Sequence, residues 1–176
     1  MSEQSVTGLA ELQQFLDQLP AKLEKNVLRG AMRAGAKVQL ERARQLVPVG
    51  PPGTENARIY GGYAGALRDS LRISTTVRGS TVKATVKAGG KTRGGADVYY
   101  AHMVEFGTAA HFIKPKNRKS LFFAGLAREV INHPGAKKHP FMRPALDATV
   151  QAAVQAVGAY IRKRLTKEGI EVPSES

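Results

Sequence analysis

The chain has 176 residues, with 27 Lys and Arg against 14 Asp and Glu and a formal net charge of +13. That length fits one domain able to bury roughly 70% of its unfolded surface, so neither metal nor disulfide is required for folding. The absence of cysteine excludes disulfides, thiolate chemistry and Cys-ligated zinc, and the basic excess favours acidic partners such as nucleic acid, an anionic membrane or a negative protein surface.

In chain order, the polar and acidic start MSEQSVTGLAELQQF is unlike a signal peptide, and no apolar run approaches the roughly 20 residues that span a bilayer. A soluble protein made in the cytoplasm is expected. Leu9, Leu12, Leu16 and Leu19 form the stripe of a short amphipathic helix. Pro20 suits the first turn of a second helix, because its missing N–H has no partner there. Leu23, Val27, Ala31, Ala34 and Val38 mark one face of that helix, which runs to about Leu46 before Pro48. Its small residues, Gly30, Ala31, Ala34, Gly35 and Ala36, permit close approach by another backbone.

A Pro- and Gly-rich loop follows at about 48–66. From Leu67 the period changes to two: Leu71, Ile73, Thr75 and Val77, then Val82, Ala84, Val86 and Ala88, predict a β-hairpin turning at Gly79-Ser80. After the glycine-rich AGGKTRGGAD, the run YYAHMVEFGT reads as a short strand entering a helical turn. Tyr100 and Val104 share a face if it is helical; Val98, Tyr100, His102 and Val104 do so if it is extended. KSLFFAGLAREVI at 119–131 predicts a strand pair, and Ala145, Thr149, Ala152 or Ala153, Val157, Tyr160 and Ile161 predict a final helix of about 20 residues. The order implies an α+β fold: an antiparallel sheet with a long N-terminal helix and a C-terminal helix packed on it. It is read as a single domain over 1–176, with inserted loops at about 48–66 and 109–139 and a fraying tail at about 168–176.

Few residues invite chemistry. His102, His111, His133 and His139 show no metal-ligand spacing. Ser70 beside Asp69 lacks a nucleophile elbow. GGKTRGG fails the phosphate-loop spacing, because Thr85 stands where the first glycine belongs, and it reads as a hairpin tip. No catalytic, cofactor or metal site is therefore assigned. Glu105 is a lone acid among apolar neighbours, with no second carboxylate closer than Asp97. A general acid normally works with a partner, so Glu105 is read as a compensated structural charge, paired with an arginine or accepting backbone N–H bonds. Basic groups cluster at Lys114, Lys116, Arg118 and Lys119, at Lys137, Lys138 and Arg143, and near the C-terminus. They allow non-specific contact with DNA, and a basic nucleic-acid-binding module is the second reading.

LAELQQFLDQLP before a long Ala-rich helix, then GALRDSL, YYAHMVEFGT and HPGAKKHPFMRPAL into a last helix, together resemble the tail-completion (head–tail joining) proteins of long-tailed phages. That group includes the lambdoid minor tail protein Z and a prophage tail-component family. The resemblance spans roughly residues 7–165. It implies a structural virion protein without enzymatic activity or cofactor, assembled in the host cytoplasm as a six-fold ring at the head–tail neck. The implied partners are further copies of the chain, the tail terminator, a head-closure or connector ring, and genomic DNA in the channel, with no membrane involved. Tyr100, Val104, Glu105, Phe106, Gly107 and Thr108, with Pro140, Phe141 and Pro144, become the motif and interface candidates. In this reading Tyr100, Val104 and Phe106 pack while Glu105 anchors a chain reversal at Gly107-Thr108. Lys114, Lys116, Arg118 and Lys119 are the partner- or DNA-facing candidates.

Overall fold

A computed structural model describes residues 21–50, 62–115, 121–123 and 126–167. The helix expected over Leu9–Leu19, most of the first loop, Lys116, Arg118 and Lys119, and the tail from 168 lie outside the described residues. The elements are α1 (Ala21–Leu46), α2 (Ala66–Ser70), β1 (Arg72–Arg78), β2 (Thr81–Lys87), β3 (Gly90–Lys91), β4 (Asp97–Val98) and α3 (Ala101–Phe106). There follow β5 (His111–Ile113), β6 (Leu121–Phe123), β7 (Leu126–Arg128), β8 (Ile131–His133) and α4 (Met142–Lys167). The α+β class holds. The strands, expected as one sheet, form four separate two-stranded antiparallel ladders: β1–β2, β3–β4, β5–β8 and β6–β7. Outside β1–β2 they are only two or three residues long, too short to support a common sheet.

The chain divides into two compact units. In its described residues the first comprises α1 to Arg42, the β1–β2 hairpin and α4 from Ala145. Val27, Ala31, Ala36 and Leu40 are buried on α1, and Ala145, Ala153, Ile161 and Leu165 on α4. The two helices touch through small residues. A Cβ at Gly35 would stand 2.8 Å from Val157 Cγ2 and 3.0 Å from the Ala153 carbonyl oxygen, so the missing side chain sets how closely the helices approach. The hairpin pairs Arg72 with Lys87 through to Arg78 with Thr81, and Gly79 turns it at a positive φ of 59°.

The second unit comprises Ala43–Leu71 and Ala88–Pro144. Its core holds Val47, Leu67, Leu71, Val98 and Phe141, with small residues Ala43, Ala66, Ala96 and Ala101 between them. Residues 66–70 are helical, not the start of the period-two run: Leu67 and Leu71, four apart, are both buried, as one helical turn places them. Ser70 is spent on structure, its hydroxyl donating to Leu67 O at 2.7 Å and accepting from Gly89 N at 3.0 Å. GGKTRGG caps the β3–β4 ladder as a hairpin tip, with the Thr92 hydroxyl accepting from Ala96 N. The strand pair expected at 119–131 is β6–β7, with Phe122 opposite Ala127. It is bracketed by β5–β8, an unforeseen pairing within the stretch read as a loop. Among the described residues no helix is long and apolar enough to cross a membrane.

Gly35→Leu should destabilise the chain by about 1–3 kcal/mol through overpacking, outweighing the roughly 1 kcal/mol of helix propensity gained over glycine. Urea melts measure the balance. A variant more stable than the parent would mean that α1 and α4 do not meet at this position.

Candidate functional site

The lone acid of YYAHMVEFGT lies on α3, where Glu105 is 7% exposed. Its carboxylate reaches across the second unit to the first turn of α4. Oε2 accepts from Phe141 N at 2.7 Å and from Met142 N at 2.9 Å, and Oε1 accepts from Arg143 N at 3.1 Å. A helix begins with four backbone N–H groups that its own carbonyls cannot reach. In α4 these belong to Phe141, Met142, Arg143 and the residue at 144, which is proline and has no N–H. Glu105 and Pro144 together account for all four. The carboxylate also sits at the positive end of a 26-residue helix, and its bonds are charge-assisted. Of the two compensations expected for Glu105, the structure uses the backbone one; its target is the start of α4, not the reversal at Gly107-Thr108.

Neighbouring bonds hold the two segments in register. His139 N donates to Val104 O at 2.8 Å, and Thr108 N donates to Ala136 O at 3.0 Å. Ala136 N is shared between Thr108 O and Thr108 Oγ1, the latter at 2.9 Å. Gly107 makes this approach possible. Its φ of 74° is a region other residues avoid, and a Cβ there would lie 2.7 Å from Ala136 O. Pro140 restricts His139 to extended backbone, and Phe141, fully buried, drops into the core immediately before α4.

The other candidates divide. Tyr100 is half-buried and its ring meets Tyr99 edge-on at 5.9 Å. Burial first, and the neighbouring Tyr99 second, hold the Tyr100 phenol above its ordinary pKa. Val104 is also half-buried. Phe106, expected to pack, is 77% exposed; the short helix that turns Glu105 inward turns the next residue outward. Lys114 is exposed. His111 and His133 face each other across β5–β8 with ring centroids 5.0 Å apart, a cross-strand pair that sequence separation conceals. Among the described residues no group of three or more potential metal ligands occurs.

Residues 10–107, more than half of the chain, match the family described as "Bacteriophage HK97-gp10, putative tail-component". The chain belongs to this family. It is a structural component of phage tails, and the resemblance read from the sequence is borne out at that level. No curated protein and no solved structure matches the chain. The family match contains α1, the β1–β2 hairpin and Glu105, and ends at Gly107. The N–H groups that Glu105 holds therefore lie beyond the matched segment. Sequence reading missed two features of this tail component: the exposure of Tyr99, Phe106 and Phe112, and a row of cations at every fourth position of α1, Lys25, Arg29, Arg33 and Lys37.

Two substitutions probe the cap. Glu105→Gln keeps the size but removes the charge and turns an amide donor toward N–H groups, which should lower stability by about 1–3 kcal/mol. Glu105→Ala should in addition abolish hydrogen-exchange protection of the Met142 and Arg143 amides; parental protection there would refute the cap. Phe141→Ala should cost about 3–5 kcal/mol in denaturant melts, as for other fully buried phenylalanines, and a loss below about 1 kcal/mol would remove Phe141 from the core.

Proposed function

We propose that this tail component completes the tail at the head–tail neck, assembling there as a homo-oligomeric ring, six-fold like the tail it closes. Its neighbours in this reading are the tail terminator on one side and a head-closure or connector ring on the other, with the genome passing through the channel. The role is architectural. Glu105, the residue best placed by sequence for acid–base work, has both oxygens engaged by backbone donors.

The observation that carries the reading, beside family membership, is the exposure of aromatic side chains within one unit. Phe106 is 77% exposed, Phe112 68% and Tyr99 59%. A phenylalanine left in water forgoes about 1.5–3 kcal/mol that burial would return, and subunit contacts are where such rings are commonly covered. Phe106 directly follows Glu105, so the bonds that fix α3 against residues 139–143 also fix the direction in which this ring projects. The basic residues Lys114, Lys116, Arg118 and Lys119 face partners or DNA in the same reading.

Phe106→Ser tests it. The purified variant should melt within about 0.5 kcal/mol of the parent, as exposed substitutions do, while assembly into rings, followed by native mass spectrometry with the neighbouring neck proteins present, falls. Complementation of a phage lacking the gene should yield heads and tails that remain separate. Normal particle yield from Phe106→Ser would sink the assignment of this face to assembly.

A further inference from the structure

The first unit contains a cleft of about 420 Å³, lined by Asn26, Arg29, Gly30, Arg33, Thr75 and Tyr160. We propose that this cleft, with the cation row of α1 that runs past it, grips the phosphate backbone of double-stranded DNA. The inference goes beyond the neck reading and stands without it.

Four observations meet here. The first is geometric. Lys25, Arg29, Arg33 and Lys37 are spaced four apart and all exposed, so they lie along one side of α1, with a rise of about 6 Å between neighbours and about 18 Å in all. The series ends at an acid, Glu41. Like charges at this spacing repel and weaken the helix that carries them. Among the described residues no carboxylate pairs with Arg29 or Arg33 to offset this. Arg29 Nη2 instead donates to Asn26 Oδ1 at 3.3 Å, a contact that steers the guanidinium without consuming its charge.

The second observation is an orphan. Thr75 lines the cleft from β1, and its hydroxyl oxygen is buried without a hydrogen-bond partner, the one such side-chain atom among the described residues. Buried polar groups are nearly always satisfied, and an exception calls for a cause; here a rotation of the Thr75 side chain toward the cleft would let an oxyanion seated there supply the missing acceptor. The third is the space itself. The Tyr160 hydroxyl occupies the place where any side chain at position 30 would stand, so Gly30 lets the phenol into the cleft beside the two arginines.

The fourth is the kind of anion this set would choose. Two guanidiniums, an amide and two hydroxyls present donors suited to an oxyanion. A carboxylate would use one or two of them. A row of cations needs a linear polyanion, and duplex DNA offers one charge per about 1.7 Å of its axis. Among the lining residues Tyr160 is the single aromatic, so stacked bases have no platform and the contact is to backbone, independent of sequence. The surroundings agree: the described part of this unit carries fourteen lysines and arginines against three carboxylates, Glu24, Glu41 and Asp147.

Fluorescence anisotropy of the full chain with a mixed-sequence DNA duplex, over a series of salt concentrations, tests the assignment. The double variant Arg29→Gln/Arg33→Gln should bind roughly tenfold more weakly, and the slope of log affinity against log salt should shrink by about 2, one unit per lost phosphate contact. The charge-matched control Lys137→Gln/Lys138→Gln, in the other unit, should change slope and affinity little. Thr75→Val should weaken binding a few-fold and leave the slope alone, since it removes a hydroxyl and no charge. Thermal melts of each variant establish that it folds. Equal losses in the two double variants would mean that binding is spread over the whole basic surface, and parental affinity in the arginine pair would mean that the cleft binds no DNA. Either result overturns the proposal, as does capture of polyglutamate, but not of duplex, by the parent chain.

Discussion

Three backbone N–H groups at the start of α4 need acceptors, and a single carboxylate 36 to 38 residues earlier in the chain supplies both of its oxygens to them. Much of the second unit follows from that requirement. To reach the donors, α3 must present Glu105 inward. To hold the donors still, residues 136–139 must run back along 104–108, which they do through Thr108–Ala136 and Val104–His139. Phe141 then falls where the backbone N–H is bonded by the carboxylate and the ring is fully buried. An acid among apolar neighbours looks like a liability from sequence. Here the apolar setting removes competing water, which strengthens the bonds the carboxylate makes.

The same contacts isolate the segment between them. Thr108 and Ala136 close residues 109–135 into an excursion with its own ladders, β5 on β8 and β6 on β7. The bonds of the cap join Glu105 to residues 141–143, all outside that excursion. The entropic cost of closing a loop grows only slowly with its length, so an insertion at this position leaves the cap intact. The family match stops at Gly107, one residue before the closure begins. The boundary of the matched segment and the physical boundary of the excursion thus coincide, and a matched acid secures the beginning of an unmatched helix.

What could be read from the chain, and what could not, follows from the range of the interactions. The end of α1 was legible because an apolar stripe and Pro48 both mark it, and the β1–β2 hairpin because seven paired residues alternate about a Gly-Ser turn. The α2 turn was not: Leu67 and Leu71 satisfy a period of two as well as a period near four, and five residues are too few to separate them. The β5–β8 ladder joins His-Phe-Ile to Ile-Asn-His, short runs without alternation whose partners lie about twenty residues apart. The kind of bond Glu105 makes was foreseeable, since a buried carboxylate must be compensated; its partners were not, because backbone N–H groups leave no mark in a sequence. The cation row on α1 was hidden for another reason. Basic residues close together in sequence are conspicuous, whereas on a helix the relevant neighbours are four apart.

Charge ties the two units to a common constraint. Residues 1–20 and 168–176 hold six of the 14 acids and none of the 27 Lys and Arg. The net charge of +13 therefore understates the body of the chain, where 27 cations face eight carboxylates. Such a body repels itself, and part of the repulsion acts between cations stacked on one helix, along Lys25, Arg29, Arg33 and Lys37. Salt relieves it by screening over about 10 Å at 0.1 M, and a bound polyanion relieves it by direct neutralisation. The two compete: ions that screen the free helix also weaken any contact it makes with phosphate. Under the DNA contact proposed above, repulsion is tolerated in the free chain and relieved by the bound polyanion. Among the described residues, a cation row in which Arg29 and Arg33 meet no carboxylate, beside a buried hydroxyl without a hydrogen-bond partner, has that character.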